Sequence, residues 1–291
     1  MKSPLIGVAL FSMIAVVGVI ALVLQEHGAT LLAPQGHIAQ EELSLITNVF
    51  YLMLITAVAV FSLAGFVAWW YRASNTRARY EPEWEHGPLG ELVWWAIPIE
   101  IVLVVGALIW SSTHALDPSR ALEKGGDPLK VQVIALPSQW LFVYPGEGVA
   151  IANHLAIPVG QQIEFAITAD APMNSFWIPA LGGQIYAMTG MATMLHLIAD
   201  TPGTYRGSSA NYSGQGFAEM AFPVYALTQE EYALFIERVK STSGTLSQSE
   251  YAILRAQPGG REVSYAAVAP NLFYNLLMRY SGPKERVMQS H

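Results

Sequence analysis

The feature that most limits what this chain can fold into is a set of three long runs nearly free of charge. Leu5–Leu24 ("LIGVALFSMIAVVGVIALVL") has 20 residues without a charge, Asn48–Trp70 has 23, and Leu92–His114 has 23 with a single carboxylate, Glu100. A helix of about 20 apolar residues crosses a hydrocarbon core of ~30 Å. A helix of a soluble domain would keep a polar face over that length. The second and third runs keep none, so they are expected to cross a membrane as a helical hairpin. Composition agrees: 13% of residues are charged, against roughly 25% in soluble chains. The first run follows Lys2 and also has the outline of a secretory signal. The residues after it, "QEHGATLLAPQG", offer no clean small-x-small cleavage site, so a retained anchor is expected.

Basic residues orient the hairpin. The link "YRASNTRARYEPEWEHGPLGE" carries Arg72, Arg77 and Arg79, which assigns it, with Lys2, to the cytoplasm. Everything after His114 then lies in a periplasm-like space. Trp69, Trp70, Tyr71, Trp94 and Trp95 stand at run boundaries, where aromatic side chains suit the membrane–water interface. The net charge of −7 argues against nucleic acid, which is held by Lys and Arg on phosphates. With no cysteine, disulfides, thiolate metal sites, thiol nucleophiles and lipidated cysteines are excluded.

From Leu129 the pattern changes to period two. "KVQVIAL" and "QIEFAITA" alternate, and "NSFWIPAL", "MLHLIAD", "GTYRG" and "EMAFPVYAL" follow as short segments separated by Pro and Gly. This spacing predicts an antiparallel sandwich or barrel over Leu129–Ala226. After Leu227 the pattern turns helical. Thr228 with Glu231 and Ser247 with Glu250 fit the Ser/Thr-x-x-Glu capping box, and "PNLFYNLLMRY" is a third candidate helix. The expected organisation is a signal-like or anchor segment over 1–28, a hairpin with a cytoplasmic loop over 29–116, a β domain over 117–227 and a helical C-terminal arm over 228–291.

Two spans followed by an exported β domain give weight to one string, "ADTPGTYRGSSANYSGQGFAEM". It resembles the copper loop of subunit II of the haem–copper oxidases, which reads Gly-x-Cys-x-Glu-x-Cys-Gly-x-x-His-x-x-Met, with a further His upstream. Gly207 and Gly214 match the glycines. Ser209 and Ser213 stand at the cysteine positions, Asn211 at the Glu, Phe217 at the His and Asn174 at the upstream His; Met220 alone remains. Two bridging thiolates and two imidazoles hold such a copper pair, and hydroxyls, amides and a phenyl ring cannot replace them. A frame retained with its ligands gone resembles subunit II of the cytochrome bo-type ubiquinol oxidases. "LLAPQGHIA", "YRASN", "RYEPEWEH", "STHALDPS", "WLFVYPGEGVA" and "MNSFWIPALGGQIYAMTGM" extend the match over nearly Leu31 to Phe222. Members of that group often carry a lipidated Cys after the first apolar segment; here His27 is near that position.

The resemblance implies a cupredoxin-like barrel and an accessory subunit of a proton-pumping ubiquinol oxidase in a bacterial inner membrane. The chain itself would hold no metal and no redox site and take no electrons from cytochrome c. Haems and copper would reside in subunit I, on which the chain packs beside other small subunits and lipid. It also implies a role for Glu91 in "GELVWWAIP", at the mouth of a proton channel whose other wall is subunit I. By position alone, Glu91 is equally a solvated acid at a helix N-terminus. Glu100 lies deeper, where an ionisable group is a functional candidate by default. The plainer reading, preferred here, is a neutral acid hydrogen-bonded to a neighbouring subunit or to backbone freed by Pro98. Trp140, Phe142 and Tyr144 are expected in the barrel core and at subunit contacts, and His154 and His196 are read as structural or surface histidines. Two further classes stay open: a copper-dependent cytochrome c oxidase subunit, and an exported binding or assembly protein.

Overall fold

The computed structural model of the chain describes residues 30–280 apart from 80, 82, 84–86, 258 and 260. The first apolar run and the ends of the chain lie outside the described residues. The rest falls into two compact units, Glu41–Asp117 and a β unit made of the residues on either side, 30–40 and 118–280.

The helical unit contains most of α1, His37–Trp70, and all of α2, Pro88–Ala115. Both are long and apolar enough to cross a membrane, and no residue of either apolar window is buried. Helix α1 starts at His37 rather than near Asn48. Its polar first turns, "HIAQEELSLIT", have their own backbone to satisfy, and continuing the helix does so. At 34 residues it is about 51 Å long, more than a bilayer core needs. Its first turn belongs to the β unit. There the Ala39 N–H, with no acceptor inside the helix, reaches the Leu181 carbonyl at 3.1 Å, and the Gln35 N–H reaches the Ala180 carbonyl at 2.7 Å. Gly36 bridges Ala199, and a Cβ on it would fall 2.5 Å from the Ile198 carbonyl oxygen. Only glycine permits that approach. At the other end of α1, Arg72 donates to the Trp69 carbonyl at 2.7 Å and Asn75 to that of Trp70 at 2.5 Å, which closes the last turn.

The β unit holds β1 Leu129–Ala135, β2 Trp140–Tyr144, β3 Val149–Ala152, β4 Leu155–Pro158, β5 Gln162–Ala169, β6 Asn174–Trp177, β7 Ile185–Ala187, β8 Thr193–Ile198, β9 Gly203–Ser209 and β10 Phe222–Leu227. After these come α3 Gln229–Lys240, β11 Thr245–Leu246, α4 Gln248–Ala256, β12 Val263–Tyr265, β13 Ala267–Val268 and α5 Leu272–Tyr280. One sheet runs β12-β3-β2-β1-β5-β8 and the other β4-β10-β9-β6-β7. The expected antiparallel arrangement needs correction. Strands β1 and β5 pair in parallel, as do β4 and β10, because each pair is joined by a crossover rather than a hairpin.

Two cores explain the apolar strands. Val131, Val133, Ala135, Trp140, Phe142 and Tyr144 face the space between the sheets. Ile134, Leu136, Leu141, Val143, Ala150 and Ala152 face the other way and are covered by Tyr251, Leu254, Leu272, Phe273, Leu276 and Leu277 of the C-terminal arm. Strand β2 is therefore buried at every position, and burying each large apolar side chain contributes about 1.5–3 kcal/mol relative to exposure. The arm helices start as their caps predict. Thr228 and Glu231 form a complete capping box, and the Ser247 side chain accepts from the Glu250 N–H. Helix α5 begins two residues after Pro270, past Asn271 at φ 59°.

Candidate functional site

Strands β6, β9 and β10 position the loop whose spacing resembles a copper loop. Asn174 opens β6 and Ser209 closes β9, beside each other through the Phe176–Ser209 register. The chain turns back through Gly214 and Gly216, at φ 104° and 90°, a left-handed conformation that favours glycine. A one-turn helix, Phe217–Glu219, then delivers Met220 into the core. Gly207 lies flat against β10; a Cβ there would sit 2.2 Å from the Phe222 ring.

The wholly buried Asn174 amide is the centre of the site. Its Oδ1 accepts from Ser209 Oγ, and from the Ser175 N–H at 2.7 Å. Its Nδ2 donates to Ser213 Oγ at 3.1 Å and towards Met220 Sδ at 3.0 Å. Trp140 Nε1 donates to the Met220 carbonyl at 3.0 Å, tying the loop's end to β2. Four of the six sequence-derived positions, Asn174, Ser209, Ser213 and Met220, thus converge. The side chains of the other two do not join them, although the Asn211 backbone carbonyl accepts from Ser209 Oγ at 3.2 Å. Asn211 turns aside to the Met173 carbonyl at 3.2 Å, and Phe217 packs edge-on against Tyr212 with centroids 5.5 Å apart.

This donor set does not fit a copper pair. Hydroxyls and an amide are hard, neutral donors, and one thioether supplies neither bridging charge nor imidazole. Among the described residues no group of three or more His, Cys, Asp or Glu could hold a metal ion. What the cluster can do is mechanical: one amide with two donors and two lone pairs cross-links β6, the end of β9 and the loop. Beneath it, Trp140, Phe142, Phe176 and Phe222 pack with centroids 5.1–6.2 Å apart. Trp140, Phe142 and Tyr144 are fully buried, so they belong to the core and present no surface for subunit contact. Burial also pushes the Tyr144 hydroxyl well above the usual tyrosine range.

A second polar cluster escaped the sequence reading. Asp170, one residue past β5, is buried beneath the arm. It accepts from Tyr251 at 2.7 Å and Tyr280 at 2.6 Å, with Arg255 at 3.0 Å and Arg279 at 3.8 Å. All four partners come from α4 and α5. Burial, then the bond to Asp170, raises the Tyr251 hydroxyl above its usual range. Nearby, Asn153 at φ 63° joins Gln139 at 3.1 Å to the Arg261 carbonyl at 2.7 Å, and Gln139 donates to the Leu254 carbonyl. The one sequence signal for these anchors was an apolar arm needing a surface to cover.

Both histidines are buried and partnered. His154 lies 3.6 Å from Glu262, and its burial holds it below the usual histidine range, against the opposing pull of that carboxylate. His196 lies 3.8 Å from Glu164 and 3.2 Å from the Pro118 carbonyl. In the helical unit, half-buried Glu91 sits in the first turn of α2 behind Pro88, with its N–H bonded to the Gly87 carbonyl at 2.8 Å. Glu100 is exposed, nine residues on. Along the axis that is about 13–14 Å, and at about 100° per residue it is half a turn round, on the opposite side.

Comparison with known proteins decides the family. Residues 129–227 match the model for the cytochrome c oxidase subunit II periplasmic domain. Over 261 residues the chain is 40% identical to the cytochrome bo(3) ubiquinol oxidase subunit 2 of Pseudomonas aeruginosa, covering 89% of this chain and 79% of that one. The chain belongs to the ubiquinol oxidase subunit 2 family. Another member, from Acetobacter aceti, is 42% identical over 264 residues, 90% of this chain and 86% of that one. Among solved structures, the periplasmic domain of cytochrome oxidase subunit II of Bradyrhizobium japonicum covers 38% of this chain and 91% of its own, at 21% identity and a TM-score of 0.37. In this family member, two sheets with a C-terminal helical arm form the cupredoxin-like part. The positions of a copper loop are held by an asparagine-centred network.

Proposed function

We propose that the chain is the accessory, non-redox subunit II of a proton-pumping ubiquinol oxidase of the aerobic respiratory chain. The complex would couple quinol oxidation and reduction of oxygen to water with proton translocation across a bacterial inner membrane. The observation that carries this reading is the Asn174 cluster. In a ubiquinol oxidase subunit 2 family member, the former ligand positions are closed by hydrogen bonds among Asn174, Ser209, Ser213 and Met220. Such a unit offers cytochrome c no relay, and quinol dissolved in the membrane delivers its electrons directly to the haem-bearing subunit. Haems and the oxygen-site copper belong to that partner, subunit I.

In this reading residues 1–28 are a signal-like or anchor segment, 29–116 the membrane hairpin, 117–227 the periplasmic domain and 228–291 its arm. The hairpin packs on subunit I beside lipid and the smaller subunits. Arg72, Arg77 and Arg79 support a cytoplasmic link, and with it a cytoplasmic position for Glu91. There the carboxylate, favoured by the helix N-terminus, collects protons for a channel shared with subunit I. Asn211 and Phe217 are former ligand positions whose side chains take no part in the cluster, Asn211 meeting it only through its backbone carbonyl.

The test is donor preference of the purified complex, with subunit and visible-spectrum analysis. Oxidation of ubiquinol but not of reduced cytochrome c is expected, with haem carried by the partner. Rapid cytochrome c oxidation, or paired copper in this subunit, would end the reading.

A further inference from the structure

Glu100 is an ionisable side chain within an apolar helix, and the described residues leave it exposed. Among the described residues it makes no hydrogen bond or ion pair. Pro98, with no N–H, leaves the Trp94 carbonyl without its helical donor, yet Glu100 makes no bond there. In the C-terminal half of α2 the half-buried residues are Ile101, Val105, Leu108 and Ser112. They share one stripe, about a third of a turn away from Glu100. The stripe through Glu100 itself runs Ala96, Glu100, Val104, Ala107 and Ser111, all exposed. It departs in character from the opposite side, where Glu91 is followed by Pro98, Val102 and Ile109.

Resting on the reading of α2 as a membrane span, we propose that the Glu100 face is a second intramembrane interface. Its occupant is a helix of another oxidase subunit that brings a basic or amide side chain to mid-bilayer depth. A carboxyl group facing hydrocarbon is costly and is found paired or facing protein, so lipid is a poor cover. Ala96 and Ala107, about one and two turns to either side, let a neighbouring backbone approach closely enough for that hydrogen bond. Because Glu91 is half a turn away, the surface that meets subunit I at the proton channel is a different one. Helix α2 would then be held on two sides, by two different partner segments.

The test is made in the assembled complex. A photo-crosslinking side chain replaces Ala107, and the adduct is digested and sequenced. The expected adduct is with a membrane segment of another subunit that carries Lys, Arg, His, Asn or Gln within a turn of the crosslinked position. Adducts only with lipid, with residues 5–24 of this chain, or with a second copy of it overturn the proposal. In parallel, Glu100→Gln should keep the full set of subunits through detergent extraction, while Glu100→Leu should retain about three- to tenfold less of that partner. Full retention with Glu100→Leu also overturns it. The proton-uptake reading fails separately, through normal turnover in Glu91→Gln with assembly intact.

Discussion

The two units of this chain are built from equally apolar elements and use them in opposite ways. Strand β2 and helix α2 are both almost without charge, yet β2 is buried at all five positions and α2 has none buried. In the β unit the sheet that holds β2 is covered on both faces from within, one by the opposite sheet and one by the arm. Polar groups trapped there, Asn174 and Asp170, are surrounded by hydrogen-bond partners from the same chain. In the helical unit the apolar surface and Glu100 are left uncovered by the described residues. A helix satisfies its backbone internally, so it can remain intact while its sides are completed by lipid or another subunit. A sheet with an uncovered apolar face has no such option in water. Polar substitutions should therefore cost stability in the β unit and cost function or assembly in the helical one.

That contrast can be broken at several points. The largest effect is expected for Asp170→Ala, which leaves two hydroxyls and two guanidinium groups without their acceptor. Breaking a buried charged cluster costs about 3–5 kcal/mol, here towards the lower bound because Arg255 and Arg279 are 43% and 47% exposed. Limited proteolysis and hydrogen exchange should show the arm released, and an arm as protected as in the native protein would refute the anchor. Asn174→Ala removes the hub that ties β6 to the 207–220 loop and should cost about 1–3 kcal/mol. Exchange should quicken in residues 207–220, and an unaltered melting curve would mean that the loop holds itself. Thr228→Ala removes a capping box and should lower the melting temperature by the equivalent of about 1 kcal/mol.

Across the comparison, Glu91→Gln should change stability by no more than about 0.5 kcal/mol while slowing turnover and proton uptake; a stability loss as large as that of Asp170→Ala would erase the distinction between the units. The smallest effect is that of pH. His154 titrates lower when folded than when unfolded, so the unfolded chain takes up the proton first. Its contribution to stability is complete above the ordinary histidine range and falls as pH drops through that range towards the depressed folded value. His154→Gln should flatten the pH dependence of melting between about pH 7 and 5, and an unchanged slope would assign it elsewhere.

Much of this was legible in the residues. The absence of charge over Asn48–Trp70 and Leu92–His114 marked the two apolar helices, and Thr228 with Glu231 marked the start of α3, because both are local signals. The copper-loop spacing marked Asn174, Ser209, Ser213 and Met220, which the fold does bring together. It could not reveal that Asn211 and Phe217 turn away, since a spacing records positions and not side-chain directions. Nor could period-two alternation in "KVQVIAL" announce two cores. It identifies two faces, but not that the second is covered by an arm more than a hundred residues further on.

What the sequence determined by itself, then, is which segments can be helix or strand and what metal chemistry the loop's residues cannot perform, because propensity, charge and ligand type are properties of the residues. Only the tertiary structure decided the parallel pairing of β1 with β5, the burial of Asp170 among side chains 81 and 110 positions away, and the face of α2 that the described residues leave open around Glu100. These depend on which distant surfaces come to lie against one another, and no stretch of neighbouring residues carries that information.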